Sequence, residues 1–339
     1  MRPTFLLLLV LIAMVDCLSA QPSDTLVKRA NLYVEKFDTL INIKLSLNND
    51  YEKLESSGKG FYFDIRPNIA VAARVSFDYK FVSFGFGFTP RFLPGNNDTK
   101  INGKTTNLSF GTRFQFSHWM QDFEISGIKG FYIANTKNLS PEWKEGDPNI
   151  ILPDLRIVSL RGMTSYKFNP NFSLKAITSQ TEAQRKSCGS FMVSLEYSYH
   201  LLDSPGFSGG SDQKQKSYHL IAIGNYGYSF VIRKNFYVSL AQALGVGVAY
   251  IRLSTLLPDG DYTVKSYQPL AYGHSSINVG YNGRRVYGGV GSNLIVTSQS
   301  QSNSSQIDQS RGYYHFFIGY RFQAPSLFRK TVSKIERYI

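Results

Sequence analysis

The chain has 339 residues, a formal net charge of +13, and 22 Tyr, 25 Phe and 28 Gly residues. This composition predicts many strands with aromatic faces and tight turns. Because an export signal opens the chain, nucleic acid is excluded as the expected partner. The charge instead favours outer-membrane lipid, lipopolysaccharide or a small anionic solute, although the basic residues could equally lie on solvated loops.

The N-terminus has the pattern of a secretory signal. A positively charged start precedes an apolar run over 5–15 that is too short to span a bilayer, and Ala20 is a small residue at the expected cleavage point. Cys17 raises the alternative of lipid attachment, which the acidic residue before it disfavours. Only Cys188 then remains in the mature chain, so no internal disulfide is predicted. We predict removal of residues 1–20 and location in the cell outer membrane.

Two hydrophobic periods follow the signal. Residues 21–37 carry apolar side chains at helical spacing, which predicts a short amphipathic periplasmic helix. Residues 38–322 alternate apolar and polar positions, which is typical of strands. The predicted runs cover about 41–47, 61–66, 71–77, 83–88, 108–117, 123–126, 155–167, 172–178, 190–201, 218–231, 236–252, 266–281, 285–298 and 311–322.

The length and spacing of these runs favour a membrane barrel. Several runs far exceed the usual strand length of about 5 or 6 residues, and one face of each is apolar. Short turns, such as the Asn282-Gly283 hairpin signal, alternate with long polar loops, except near 48–69 and 179–216. We therefore predict an all-β, closed antiparallel transmembrane barrel of about 12 strands (range 10–14), with two runs outside the wall.

Charged residues on the polar faces predict the barrel lumen. Mixed charge in a barrel of this size indicates a filled interior more than an open pore. Trp119, Trp143 and Tyr residues near strand ends are candidates for interfacial belts, with core packing as the alternative. The inward candidates are Lys44, Arg66, Arg74, Arg113 and Gln115, with Asp64, Asp78, Asp122, Glu124 and Glu196 opposing them.

Several stretches resemble the Bacteroidetes family catalogued as domain of unknown function 4421. They are "FYFDIRPNIAVAARVSFDYKFVSFGFGF", "KGFYI", "LPDLRIVSLRGMTSYKFNPNFSLKAITSQTEAQRKSCGSF", "YGYSFVIRKNFYVSLAQALGVGV" and "GYRFQAP". Together they extend from about residue 40 to 325. The resemblance implies an exported β protein, an outer-membrane barrel in type, and it implies no activity.

The polar interval between the runs at 172–178 and 190–201 is the most specific of these stretches. Thr181 to Gln184 has the spacing of a capping box, which predicts one or two helical turns. We predict that the interval enters the barrel mouth or lumen as a plug; a solvated connecting loop is the alternative. The plug candidates are Gln180, Glu182, Gln184, Arg185 and Lys186, pairing with the inward charges Arg74, Arg113 and Glu124.

No catalytic constellation is visible in the sequence. Ser208 has the letter pattern of a nucleophile elbow without the strand and helix that the elbow requires. The histidines lack metal-site spacing, so we predict no metal and no cofactor. The expected protein is a non-enzymatic barrel with a narrow, polar, partly plugged lumen, serving a structural role or small-solute passage.

Two alternatives remain open at this stage. The first is a barrel-rim enzyme acting on lipid or peptide, with His200 or His274 beside a serine. The second is a soluble periplasmic β-sheet binding protein, which requires the apolar faces to pack on one another. After the closing strand, residues 323–339 predict a basic amphipathic tail, with a frayed tail as the alternative.

Overall fold

A computed structural model of the protein describes residues 32–49, 54–58, 61–206, 211–299 and 311–336. The signal segment with Ala20, most of the predicted N-terminal helix and Ser208 lie outside these residues. The described strands are β1 (Val34–Lys36), β2 (Leu40–Asn48), β3 (Leu54–Gly58), β4 (Phe61–Arg66), β5 (Ala72–Tyr79), β6 (Val82–Phe88), β7 (Thr106–Gln115), β8 (Trp119–Ile133), β9 (Ile150–Lys167), β10 (Glu182–Gln184), β11 (Cys188–Ser204), β12 (Asp212–Arg233), β13 (Phe236–Leu256), β14 (Tyr262–Asn282), β15 (Val286–Gln299) and β16 (Arg311–Gln323). The helices are α1 (Thr99–Asn102), α2 (Thr136–Leu139) and α3 (Ser326–Glu336).

Twelve strands form a closed antiparallel barrel. The order around the wall is β8, β7, β6, β5, β2, β16, β15, β14, β13, β12, β11 and β9. Pairing of β9 with β8 closes the ring, because Trp119 lies opposite Tyr166 and Phe123 opposite Gly162. A closed ring pairs the backbone groups of every wall strand on both sides, as a sheet in hydrocarbon requires. The predicted barrel of about twelve strands is confirmed.

Two predicted runs lie outside the barrel wall, and one of them is not a strand. The run at 61–66 is β4, which pairs with β3 and meets β8 only at its end, where Ile65 lies opposite Ile133. Arg66 and Asp64 form an ion pair on this hairpin, with 2.5 Å between Arg66 Nη2 and Asp64 Oδ2. Because the hairpin lies outside the barrel wall, their predicted position in the lumen is wrong. The run at 172–178 forms turns, because the closed wall leaves no free strand edge for it.

The described end of the predicted N-terminal helix is helical only at residues 32–33 and then becomes a strand. Residues Val34–Lys36 form β1, which pairs antiparallel with β10. These residues do not continue a helix, despite the helical spacing of their apolar side chains, because β10 in the polar interval offers a strand edge with which they pair. At the other end of the chain, α3 lies within the predicted basic tail, and its Val332 packs against Tyr79 and Ala324.

The aromatic rows of the wall point away from the barrel. Phe84, Phe86 and Phe110 are each nearly half exposed, at 46, 48 and 48%. The alternating positions carry Gly, Ser and charged residues, and the strand registers place these on the inner face. The apolar faces therefore do not pack on one another, so the alternative of a soluble β-sheet protein is wrong for this chain.

The two ends of the barrel differ. At one end, here called the short-turn end, two or three residues join β5 to β6, β7 to β8, β12 to β13 and β14 to β15. The other end, the long-loop end, carries α1, α2 and the hairpin β3–β4. The chain between β9 and β11 is the exception, because it is a long connection at the short-turn end. Within the described residues, no helix has the length and apolarity needed to cross a bilayer.

Candidate functional site

The long connection between β9 and β11 enters the barrel instead of projecting from it. We call residues 168–187 the lumen segment. Its side chains Phe172, Ser179, Gln180 and Thr181 are buried, with Gln180 only 1% exposed. Polar side chains are seldom buried to this degree without partners. The contacts of this segment therefore define the site.

The lumen segment begins with a turn at Asn169, and a reversal of the backbone at Gln180 ends its first half. Asn169 accepts a hydrogen bond from the backbone N–H of Asn171 at 3.0 Å, and its amide donates to Gly189 O at 2.8 Å. The N–H of Thr178 donates to Leu174 O at 2.9 Å, which makes a single helical turn. Gln180 then adopts φ of +54°, the left-handed region, and this reverses the chain.

After the reversal the segment is extended, so the predicted helical turns at Thr181 to Gln184 are wrong. Glu182–Gln184 form β10, and Ala183 lies opposite Glu35 of β1. The N–H of Phe37 also donates to Thr181 O at 3.0 Å. The capping-box spacing is overridden because β1 offers an edge that satisfies the same backbone groups.

Arg321 is the central contact of the lumen segment. This inward residue of β16 is 1% exposed. Its Nε donates to Gln180 O at 3.2 Å, its Nη2 donates to Asn282 Oδ1 at 2.6 Å, and its Nη1 donates to Gly283 O. The guanidinium also lies between the rings of Phe37 and Tyr287, at 4.2 and 4.3 Å from their centroids. Carbonyl oxygens and aromatic faces thus stabilise this buried cation.

The opposite side of the segment is held by β2 and β7. Lys44 Nζ donates to Thr178 O at 2.5 Å and to Gln180 Oε1 at 3.0 Å. Asn42 donates to Ser179 O at 2.8 Å, and Gln115 donates to Thr178 Oγ1 at 3.0 Å. The segment tip is therefore bound through both its backbone carbonyls and its side chains.

Contacts to the remaining wall place the segment across the lumen. Asn282 at the end of β14 donates to Glu182 O at 2.9 Å, and Thr181 donates to Lys80 O in the β5–β6 turn at 3.1 Å. Phe172 lies over Gly227 of β12, where a Cβ would come within 3.2 Å of its ring. Strands from most of the circumference thus contact this one connection.

The other predicted plug residues have local or outer partners. Glu182 accepts from Ser173 Oγ at 2.6 Å and lies 3.5 Å from Lys175 Nζ. Gln184 accepts from the N–H of Ser173 at 2.8 Å. Arg185 lies against the β12–β13 turn, where its Nη1 donates to Asn235 Oδ1 at 2.9 Å and its Nε to Glu35 Oε2 at 2.7 Å. Lys186 lies over the Tyr33 ring.

The predicted wall charges pair among themselves, and this corrects their assignment as partners of the segment. Arg74 Nη1 lies 2.9 Å from Glu124 Oε2, and Arg161 Nη2 lies 3.3 Å from Glu124 Oε1. Arg113 pairs with Asp122 on the neighbouring strand. The Arg74 guanidinium occupies the space over inward glycines, because a Cβ at Gly85 would come within 2.5 Å of its Nε. These charges form an ionic inner wall next to the segment.

Sequence reasoning missed Arg321, Asn282 and Asn42. All three face inward by register, since Arg321 lies opposite Asn42 and Asn282 lies opposite Tyr287. Arg321 could have been found from the alternation of β16, because its position in that pattern places it on the inner face of the strand. It is a cation on the inner face of a closing strand whose outer positions are all aromatic or aliphatic.

Histidines line the inner wall in two hydrogen-bonded groups. Ser159 Oγ lies 2.9 Å from His200 Nδ1, and His200 Nε2 lies 3.0 Å from Ser198 Oγ. On the far wall, Asn293 lies between His274 and His315, at 3.1 and 3.2 Å. In the described part of the chain, no group of three or more His, Cys, Asp or Glu side chains is placed to hold a metal ion.

Comparison with known proteins gives a family and a fold. A family model described as "Domain of unknown function (DUF4421)" matches residues 23–322. The chain belongs to this family. Comparison of the DUF4421 chain with curated proteins gives no match.

Solved structures similar to this DUF4421 chain include outer-membrane proteins. The outer membrane protease OmpT from Escherichia coli is 11% identical, with 84% of this chain and 97% of that chain covered at a TM-score of 0.38. An outer membrane channel from Pseudomonas putida F1 is 9% identical, with 90 and 100% covered at 0.34. LpxR from Salmonella typhimurium is 8% identical, with 83 and 100% covered at 0.34. At these similarities no function is transferred to the DUF4421 chain.

Proposed function

We propose that this DUF4421 protein is an outer-membrane barrel whose lumen segment plugs the periplasmic end, and that small polar solutes pass only when the plug is displaced. The observation that carries the proposal is the binding of residues 178–182 by Lys44, Asn282 and Arg321 from different parts of the wall. The closed barrel and its exposed aromatic exterior support the membrane location.

The orientation follows from the connections. Bacterial outer-membrane barrels have short turns on the periplasmic side and long loops outside. The short-turn end, which contains the lumen segment, α3 and the start of β2, is therefore assigned to the periplasm. The interior above the plug is ionic, with Arg74, Arg113 and Glu124 on one wall. Such a lining favours small polar or anionic solutes over apolar ones.

Shortening the lumen segment tests the plug directly. In a planar bilayer we expect low or absent conductance for the wild type, and stable open events when residues 174–181 are replaced by two glycines. The matched control removes the eight residues 140–147 from a long loop, and should leave conductance at the wild-type level. Heat-dependent gel mobility verifies that each variant is a folded barrel. Equal conductance of wild type and the shortened segment would contradict the plug.

We propose that the protein is not an enzyme. The Ser159–His200 contact has the reach of a nucleophile and base, but the second His200 nitrogen faces the hydroxyl of Ser198. Catalytic triads place an orienting carboxylate at that position. Together with the inward, buried position of Ser159, this supports a structural hydrogen-bond bridge.

The plug is expected to loosen in acid through Glu182. Burial disfavours the charged form, but the Lys175 ammonium and the Ser173 hydroxyl outweigh it with help from Lys36 and Lys167, so the pKa of Glu182 falls below its ordinary value of 4.5. A lowered folded-state pKa contributes stability above 4.5 that is lost as pH falls through the folded value. We expect wild-type opening to increase below pH 4.5. Glu182→Gln should abolish this pH dependence of conductance; an unchanged pH profile would contradict the role of Glu182.

A further inference from the structure

The outer wall carries a repeated pattern on three neighbouring strands. Each strand passes from an apolar residue to a tyrosine and then to a cation, two residues apart, towards the long-loop end. The three series are Leu220, Tyr218 and Lys216 on β12; Val248, Tyr250 and Arg252 on β13; and Pro269, Tyr267 and Lys265 on β14. Two residues advance a strand by about 7 Å, so each cation lies one step beyond its tyrosine.

The pairing registers join these residues into two continuous rows. Tyr218 lies opposite Tyr250, which lies opposite Tyr267. Tyr199 of β11 extends this tyrosine row, with its ring centroid 5.0 Å from that of Tyr218. Lys216 lies opposite Arg252, and Arg252 opposite Lys265; we call these three residues the cation row.

The cation row is unfavourable without an anion. Like charges directly opposite each other on paired strands repel, and all three side chains are exposed. In the described part of the chain none of the three has an ion-pair partner. The nearby carboxylate of Asp203 is taken by Arg156 at 2.8 Å and lies 4.0 Å from Lys214. The row therefore offers positive charge that the protein itself does not neutralise.

The residues below the row indicate what kind of anion fits. Tyrosines on an outer barrel wall mark the boundary between hydrocarbon and headgroups, so a cation one step further lies at the level of lipid phosphates. At the β11 end of the tyrosine row, the wall also has a groove of about 490 Å³. Its outward residues include Phe110, Phe123, Leu160, Tyr197, Tyr199 and Tyr218, and the Tyr197 ring packs over Gly162 there. Such a groove suits an acyl chain.

We propose that the cation row, the tyrosine row and the groove form a binding site for a phosphorylated lipid of the outer leaflet, of the lipopolysaccharide type. The phosphate contacts Lys216, Arg252 and Lys265, and an acyl chain lies in the groove. The assignment to the outer leaflet rests on the orientation given under the proposed function. The site itself is independent of the plug.

Binding of lipopolysaccharide to the full-length barrel in detergent tests the site. The triple variant Lys216→Gln, Arg252→Gln, Lys265→Gln should lose at least about tenfold in affinity, because each cation near a membrane surface adds to anionic-lipid attraction. The matched control changes Lys100, Lys104 and Lys137 to Gln; these lysines are exposed at the same end of the barrel but outside the wall strands, and the net charge changes equally. The control should bind as wild type. An equal loss of lipopolysaccharide affinity in both triple variants would show that net charge alone attracts the lipid, and would overturn the proposal.

Two further arms separate the sources of phosphate. Dephosphorylated lipopolysaccharide should bind the wild type no more tightly than it binds the triple variant of the cation row, which we call the row variant. Millimolar inorganic phosphate should not displace the intact lipid, and full displacement would overturn the lipid assignment in favour of a free-phosphate site. Conductance measured on the same preparations should be equal for wild type and the row variant. Failure of lipid binding is thereby distinguished from failure of the plug.

Discussion

Replacing Arg321 by Met is expected to destabilise the folded barrel by about 3–5 kcal/mol, because several buried oxygens lose their donor and each unsatisfied buried group costs about 1–3 kcal/mol. The guanidinium bridges the lumen segment at Gln180 and the wall at Asn282 and Gly283. Without it, these oxygens stay buried with fewer donors, and the segment loses its attachment to β16. We therefore expect open conductance events as well as lower stability.

Urea unfolding followed by heat-dependent gel mobility measures the loss in stability. Arg285→Met is the matched control, because this exposed arginine lies at the same end and its guanidinium donates to the Tyr320 hydroxyl at 3.3 Å. It should cost at most about 1 kcal/mol, as for surface charges in general. Arg321→Lys should be intermediate, since it keeps the charge and loses the planar fork. An Arg321→Met barrel as stable as the control would contradict the central role of Arg321.

Introducing a charge on the outer wall is the second large effect. Val246 on β13 is 71% exposed in an apolar row, so Val246→Arg should cost about 2–4 kcal/mol if hydrocarbon surrounds it. Leu256 lies on the same face of the same strand at its long-loop end. There the same substitution should cost about 0–1 kcal/mol, because the penalty falls towards the interface.

Refolding into lipid vesicles with urea titration compares the two variants. If water surrounded the outer wall, both substitutions would lower the free energy of unfolding by an equal, small amount. A difference near zero between Val246→Arg and Leu256→Arg would therefore contradict a membrane-embedded exterior. The comparison is independent of the lumen segment, since Val246 faces away from it by register.

The faces of the wall strands could be predicted from the sequence alone, because alternation is a local property of each strand. Phe84 and Phe86 point outward as their parity predicts, and the Asn282-Gly283 signal does end β14. The irregular connections near 48–69 and 179–216 also located the two runs outside the wall. Resemblance to the DUF4421 family, confirmed over residues 23–322, added the expected barrel.

The pairing of strand edges and the filling of the lumen could not be predicted in this way, because both depend on contacts between residues far apart in the chain. The stretch 172–178 has the alternation of a strand, yet it forms turns, because every edge of the closed wall is already hydrogen-bonded. β10 instead pairs with β1, nearly 150 residues away in the chain, and Arg321 meets Gln180 across a similar separation. The cation row likewise depends on register between three strands. Local periodicity carries no information about such long-range registers, and these place both the proposed plug and the proposed lipid site.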